Sequence, residues 1–387
     1  MTLINWLLIF VAIILLLYVT KIGTLIRKSV MLYLIIMFPY RRWHLPSWLS
    51  PKTKISDYKI NFGKRVLAPK VFQLDDNKKH PGMIVFTPLA QEDESSAAAI
   101  NFLKGLAKLG FTVMVPLWPG RPLGTINETD PKDLAGSIDW FSKQDFIEKG
   151  PVGLVAISYG AGPALIAAAD EHIKNKIKYL VLLSGYVDLL AATETIVTGK
   201  FSYGKIKGEV EPDPYARYVL FYNIGKWCSN HGDQQIFAKI SKIILDNNQS
   251  DTKINALADG LSKEGKTIFA WVTASEPKDF REKFSRLPKK IKNHYQALTP
   301  KLKNIFSIKS PLLIMHSTND RLIPHTESIK LYNNIKNYNK KSSLVLISAF
   351  DHAIPVQANF KNIWTIYIPN FFRIVRFIFQ MLWLQIN

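Results

Sequence analysis

Cysteine is almost missing from this sequence. Its 387 residues include one, Cys228. No intrachain disulfide can form, which excludes a small fold stapled by bridges. Cys228 lies in "NIGKWCSN" without metal-ligand spacing around it, and is read as structural. Zinc-finger spacing and an aromatic-studded RNA-binding signature are also lacking, so nucleic acid is not an expected partner. Low-complexity tracts and internal repeats are absent, which argues against disorder and against a solenoid. Acidic residues are outnumbered, 30 against 50 basic ones, for a formal charge of +20. That excess suits a basic surface, and membrane lipids fit it better than nucleic acid does.

Long uncharged apolar runs are confined to the two ends. "LINWLLIFVAIILLLYV", Leu3 to Val19, is about as short as a membrane span can be, since roughly 17–25 apolar residues cross the hydrocarbon core. No basic residue precedes it, and "YVTKIG" is a poor cleavage site, so the sequence predicts an uncleaved transmembrane anchor over 1–20. Lys21, Arg27, Lys28, Arg41 and Arg42 follow, which places the body of the protein on the cytoplasmic side. Residues 21–55 read as a basic and apolar juxtamembrane segment. Within it "VMLYLIIMF" (Val30 to Phe38) is expected in the membrane interface, with Trp43 and Trp48 near headgroup level. At the other end, 369–387 form an amphipathic helix on which Arg373, Arg376 and Gln380 make one narrow polar stripe. An interfacial position is favoured slightly over a core helix.

Between the ends, short apolar runs alternate with helical patterns. "YKINF" and "RVLAPKVFQL" read as an opening pair of strands. Strands then follow at "MIVFT", "FTVMVP", "PVGLVAIS", "IKYLVLLS", "PLLIMHS" and "SSLVLIS", with helices between them. This predicts an α/β fold with a mostly parallel sheet and helices on both faces. Alternation fails over 186–305, which is helix-leaning and lysine-rich. The expected organisation is one core, 56–185 and 306–368, interrupted by a helical cap.

Three residues carry the chemistry. In "GLVAISYGAGPAL" a buried strand runs straight into a helix at Ser158. Small neighbours, Ala156 and Gly160, permit a turn sharp enough to lift the Ser158 Oγ above the sheet. A serine hydroxyl needs a base, and the base needs an orienting group. In a parallel sheet these belong at carboxyl ends of later strands. Asp320 follows one such strand in "HSTNDRLIP", and His352 follows the next in "AFDHAIP". Asp188 is a rival acid after "VLLSGY", with weaker strand context. Asp351 adjoins the histidine but is badly placed to orient it. His316 reads as a turn-stabilising residue, and His325 as a helix start.

With these motifs the chain resembles the α/β-hydrolase superfamily. "HSTNDRLIP" is similar to that superfamily's H-G-x-x-D-x-x-V-P segment, with Ser317 for glycine and Ile323 for valine. The resemblance implies an α/β-hydrolase fold and a catalytic triad of Ser158, Asp320 and His352. It implies an oxyanion hole made by the backbone N–H groups of Tyr159 and of Leu89, the latter in "TPLAQEDES" after the strand "MIVFT". Leu89 is chosen because Pro88 has no N–H, with Ala90 as the next candidate. The implied activity is a membrane-associated serine hydrolase on esters or thioesters of apolar acyl groups, small-molecule or lipid, with no metal or cofactor required. An acyltransferase, a peptidase and a non-catalytic binding module are the rival readings.

Overall fold

A computed structural model describes residues 5–6, 12, 15, 18–38, 51–62, 65–87, 94–118, 124–246, 251–352, 354–356 and 359–387. Eight of the described strands form one sheet: β1 (Thr53–Asp57), β2 (Lys70–Leu74), β3 (Gly82–Phe86), β4 (Thr112–Val115), β5 (Val152–Ile157), β6 (Ile177–Leu183), β7 (Leu312–Ser317) and β8 (Ser343–Ile347). Their spatial order is β1-β2-β4-β3-β5-β6-β7-β8. Only β2 runs against its neighbours, and every other pairing is parallel. The central strands are apolar on both faces, as burial on both sides requires.

Helices cover the two faces. On one lie α1 (Lys21–Met37), α2 (Glu94–Lys108) and α14 (Ile368–Ile386), packed on Val85, Val155, Val181 and Met315. On the other lie α3 (Asp130–Phe141), α4 (Ala161–Ala168) and α13 (Thr326–Ile335), packed on Ile84, Leu154, Leu180 and Ile314. Successive residues of β5 and β7 thus serve opposite cores, the period-2 rule of a strand. Gly110, at φ +92°, ends α2 in the left-handed conformation that a C-terminal cap needs.

Between β6 and β7 the chain leaves the sheet and builds α5 (Leu189–Thr198), α6 (Pro214–Trp227), α7 (His231–Leu245), α8 (Asp251–Ala258), α9 (Lys263–Val272), α10 (Pro277–Ser285), α11 (Lys289–Leu298) and α12 (Leu302–Ile305). This unit has its own apolar centre around Phe237, Trp271, Phe280 and Ile291. The basic stretch over α10 and α11 turns Phe280, Ile291 and Tyr295 inward. Several of its cations are paired, Arg281 with Glu194, Lys283 with Asp279 and Arg286 with Glu282. A hairpin, Lys200–Tyr203 with Ile206–Glu209, interrupts the helices of this helix-leaning region.

Three expectations about the ends require correction. Among the described residues no helix is long and apolar enough to cross a membrane, so the single-pass anchor is not borne out, and the cytoplasmic placement that rested on it falls too. Most of the run Leu3 to Val19 lies outside the described residues, as do Arg41, Arg42, Trp43 and Trp48. The apolar patch Val30 to Phe38 belongs to α1 and buries Leu32, Tyr33 and Met37 in the core rather than in an interface. Lys28, counted as a topology signal, donates to the Leu109 carbonyl at the end of α2 (2.5 Å). Burial and the neighbouring Arg27 charge lower its pKa.

The C-terminal helix is a core helix as well. Ile374, Phe377, Ile378, Met381 and Leu382 of α14 are buried. Two residues of its polar stripe meet the sheet's edge strand: the Arg373 guanidinium donates to the Leu346 carbonyl (3.3 Å) and Gln380 accepts from Ser343 Oγ (3.2 Å). Buried Asn370 accepts from the Ser348 N–H (3.1 Å) and donates to Ser348 Oγ (3.0 Å). A narrow stripe suffices because one polar row beside an edge strand satisfies and covers it. The first strand also starts earlier than expected. β1 begins within the segment read as juxtamembrane, and "YKINF" contributes only a small hairpin with Arg65–Leu67.

Candidate active site

The strand order reverses at β3, since β4 lies on one side of it and β5 on the other. The helices that follow β3 and β5 therefore depart to opposite faces, and a crevice opens at the carboxyl ends of these strands. Ser158 stands there, one residue beyond β5. Its φ is +56°, a left-handed value that is strained for a side-chain-bearing residue. A tight turn over 158–160 leads at once into α4. Close packing makes this turn possible. A Cβ on Gly162 would lie 2.2 Å from Tyr186 Oη, and one on Gly185 would lie 2.1 Å from Ala161 Cβ.

His352 follows β8 and also has positive φ, +55°. Its Nε2 lies 2.7 Å from Ser158 Oγ, and its Nδ1 lies 2.8 Å from Asp320 Oδ2. Asp320, 2% exposed, is held on its other oxygen, since Oδ1 accepts the N–H groups of Leu322 and Ile323, both at 2.9 Å. The fully buried His316 donates from Nε2 to Ile323 O (2.9 Å) and meets Ser328 Oγ at Nδ1 (2.7 Å), and its Nε2 is 3.4 Å from Asp320 Oδ2. Burial by itself would raise the Asp320 pKa, but the two imidazoles outweigh it and hold the carboxyl far below its usual range. Burial would lower His352, and the Asp320 carboxylate outweighs that too, so His352 stands above the ordinary histidine value.

The three residues singled out in the sequence thus meet in one hydrogen-bonded chain, Ser158 to His352 to Asp320. The rivals are engaged elsewhere. Asp188 caps α5 by accepting from Leu190 and Ala191, and it pairs with Lys330 at 2.8 Å. Asp351 accepts from Arg321 Nε (2.9 Å) and Nη2 (2.6 Å). His325 precedes α13 and packs edge-on against Phe201. Cys228 is buried, with its thiol pushed up to about 12 by burial and nearby carboxylates, which suits packing rather than reactivity. Leu89 lies outside the described residues.

Other supports of the site carry no sequence signal. The Tyr159 hydroxyl donates to buried Asp130 (2.9 Å), which ties the residue after the serine to the start of α3. Glu327 Oε2 accepts the N–H groups of Val187 (3.0 Å) and Asp188 (2.6 Å), which fixes the loop after β6. Nothing in an amphipathic helix pattern distinguishes Glu327 from an ordinary surface glutamate. Its role depends on a contact 139 residues away in the chain.

A cavity of about 950 Å³ opens onto Ser158 and His352. It is near the upper end of the usual range for ligand pockets, roughly 300–1,000 Å³. Its lining is mostly apolar and comes from the sheet ends, from α1 and α2, and from α5, α6 and α11 of the helical unit.

No family model and no curated protein sequence matches the chain. Among solved structures it is similar to an acylaminoacyl peptidase of Pyrococcus horikoshii, at 13% identity and a TM-score of 0.44, over 79% of this chain and 38% of that one. It is also similar to an esterase of Pyrococcus furiosus, at 16% identity and 0.43, over 86% and 92% of the two chains. A third is Est1E of Butyrivibrio proteoclasticus, at 12% and 0.43, over 85% and 98%. The chain spans about two fifths of the length of the peptidase. By its own sheet order, the sharp turn at Ser158 and the chain order Ser158, Asp320, His352, this protein has the α/β-hydrolase fold.

Proposed function

We propose that the chain is a serine hydrolase that cleaves carboxylic ester or thioester bonds of substrates with an apolar acyl group. The observation that carries this reading is the Ser158–His352–Asp320 chain at the wall of an apolar cavity. His352 Nε2 takes the proton of Ser158 as Oγ attacks the carbonyl carbon. Asp320 keeps the other ring proton on Nδ1 and stabilises the imidazolium that forms. The negative charge on the carbonyl oxygen is met by the backbone N–H of Tyr159, at the start of the turn into α4. His352 returns its proton to the leaving oxygen or sulfur as the carbonyl re-forms. Water, deprotonated by His352, then releases the acyl group by the same steps in reverse order.

A fluorophosphonate probe tests this directly. The wild-type protein should label, and Ser158→Ala should not. p-Nitrophenyl esters should be hydrolysed by the former alone. A folded wild-type protein that neither labels nor turns over any ester of the series would sink the reading.

A further inference from the structure

Two sets of helices line the cavity beside Ser158. The helical unit contributes mostly apolar side chains, among them Leu189, Val219 and Leu220, with Asn223 and Thr193, whose hydroxyl is 3.1 Å from Tyr295 Oη, among its polar groups. The other wall is the wedge that α1 and α2 make where Ile35 meets Gly105. There the helices present Ile35, Ile36, Ala98, Ala99, Phe102 and Leu103, all apolar. The small side chains of Ala98 and Ala99 leave the space that the isoleucines close.

The α1 wall is held from behind. Tyr33 packs edge-on against Phe371 of α14 with ring centroids 4.9 Å apart, and Phe38 stacks on Tyr367 at 5.8 Å. Lys28 ties α1 to the end of α2. Ile35 lies against bare backbone at Gly105, where a Cβ would come within 2.8 Å of its Cδ1. An apolar wedge with a fixed wall, continuous with the nucleophile, matches an unbranched hydrocarbon chain. It offers such a chain dispersion contacts and no hydrogen bond.

We infer that this wedge is a chain-length gauge, in which Ile35 and Ile36 of α1 set how long a hydrocarbon chain of the ester is accepted. The inference rests on the hydrolase reading and adds the substrate class, an ester with at least one long linear chain. That chain belongs to the acyl or to the alcohol part, and the two sources separate in experiment.

Two ester series test it, one varied in acyl length with a p-nitrophenyl leaving group, the other acetates of linear alcohols. Each methylene accepted by the wedge should raise kcat/KM about fourfold, the equivalent of about 0.8 kcal/mol per buried CH₂. Ile36→Ala should move the length optimum up by about two carbons, and Ala99→Phe should lower the long-to-short ratio at least about tenfold. The series whose profile moves identifies the part of the ester that enters. Profiles unmoved in both series, in active variants with wild-type unfolding midpoints, would overturn the gauge and leave the hydrolase reading standing. Binding of pyrene-labelled dodecanoic acid gives a readout free of turnover, expected to weaken at least tenfold in Ala99→Phe. Ala99-dependent binding without hydrolysis of any ester would sink the hydrolase reading and keep the wedge. Binding indifferent to Ala99 and Ile36 would count against the wedge whether or not esters are cleaved.

Discussion

Replacing Asp320 by asparagine should reverse the proton logic of His352 while leaving its position nearly unchanged. The two side chains have the same shape, and the surroundings dictate how the amide turns. Oδ1 of Asp320 accepts two backbone N–H groups, from Leu322 and Ile323. In Asp320→Asn the amide oxygen must take that place, because an NH₂ group there would face two donors. The NH₂ then points at His352 Nδ1, now 2.8 Å from Asp320 Oδ2. Nδ1 must accept, so the single proton of the neutral ring moves to Nε2, facing Ser158 Oγ. A ring in that tautomer cannot take the serine proton. The expected loss in kcat is about 10⁴-fold, or about 5.5 kcal/mol of transition-state stabilisation. The charge that raises the His352 pKa is also removed, so residual activity should survive to lower pH than in the wild type. The assay is kcat/KM for a p-nitrophenyl ester across pH 5–9, beside a thermal unfolding curve. A folded variant within tenfold of wild type, with the same acidic limb, would refute the assignment and leave His352 oriented by another group.

The wild-type pH profile is a second test. Only neutral His352 is a base, and its pKa is raised, so kcat/KM should fall as pH drops through a value above 6.5. A limb below 6.5 would contradict the coupling to Asp320. Glu327 is pushed up to about 7 by burial, against the opposing pull of Lys330 and the two N–H bonds. The fold thus favours its protonated form, a contribution complete below pH 4.5 and lost as pH rises toward 7. At about 1.4 kcal/mol per pH unit this amounts to about 3 kcal/mol, so Glu327→Gln should flatten the denaturant-measured stability over that window, and an unaltered slope would count against it. Ala156 is fully buried beneath the turn, between Phe86 and Leu182 of the flanking strands. Ala156→Leu should cost about 1–3 kcal/mol and most of the activity, and a fully active variant would show that the turn tolerates bulk. Asn370→Leu breaks the tie of α14 to the end of β8 and takes a partner from the half-buried Ser348 N–H and hydroxyl, at about 1 kcal/mol in urea unfolding.

How far the sequence is legible depends on the range of the contacts concerned. β5, β6, β7 and β8 declare themselves as short apolar runs, because a strand buried on both faces leaves little room for polar residues. Ser158, Asp320 and His352 are legible for a related reason. Each follows a strand, and a parallel sheet gathers those strand ends along one edge. The supports are another matter. Asp130 beneath Tyr159, Glu327 beneath Val187 and Arg321 on Asp351 look like ordinary charged residues until the fold brings their partners to them.

The two ends show the same division. That α14 is an amphipathic helix, and that the later part of α1 is an apolar patch, is plain from periodicity and composition. What solvates their apolar faces is not, because lipid and a protein core reward the same side chains. The tertiary structure decides it, by laying α1 across α2 and α14 along β8, with Tyr33, Met37, Ile374 and Phe377 closing one core between them. The same packing gives Ile35 and Ile36 their place in the cavity wall. By itself the sequence determined the α/β order and singled out the three residues that meet in the Ser158–His352–Asp320 hydrogen-bonded chain. Only the folded chain decided that α1 lines the cavity, since that depends on which surfaces meet rather than on which residues are apolar.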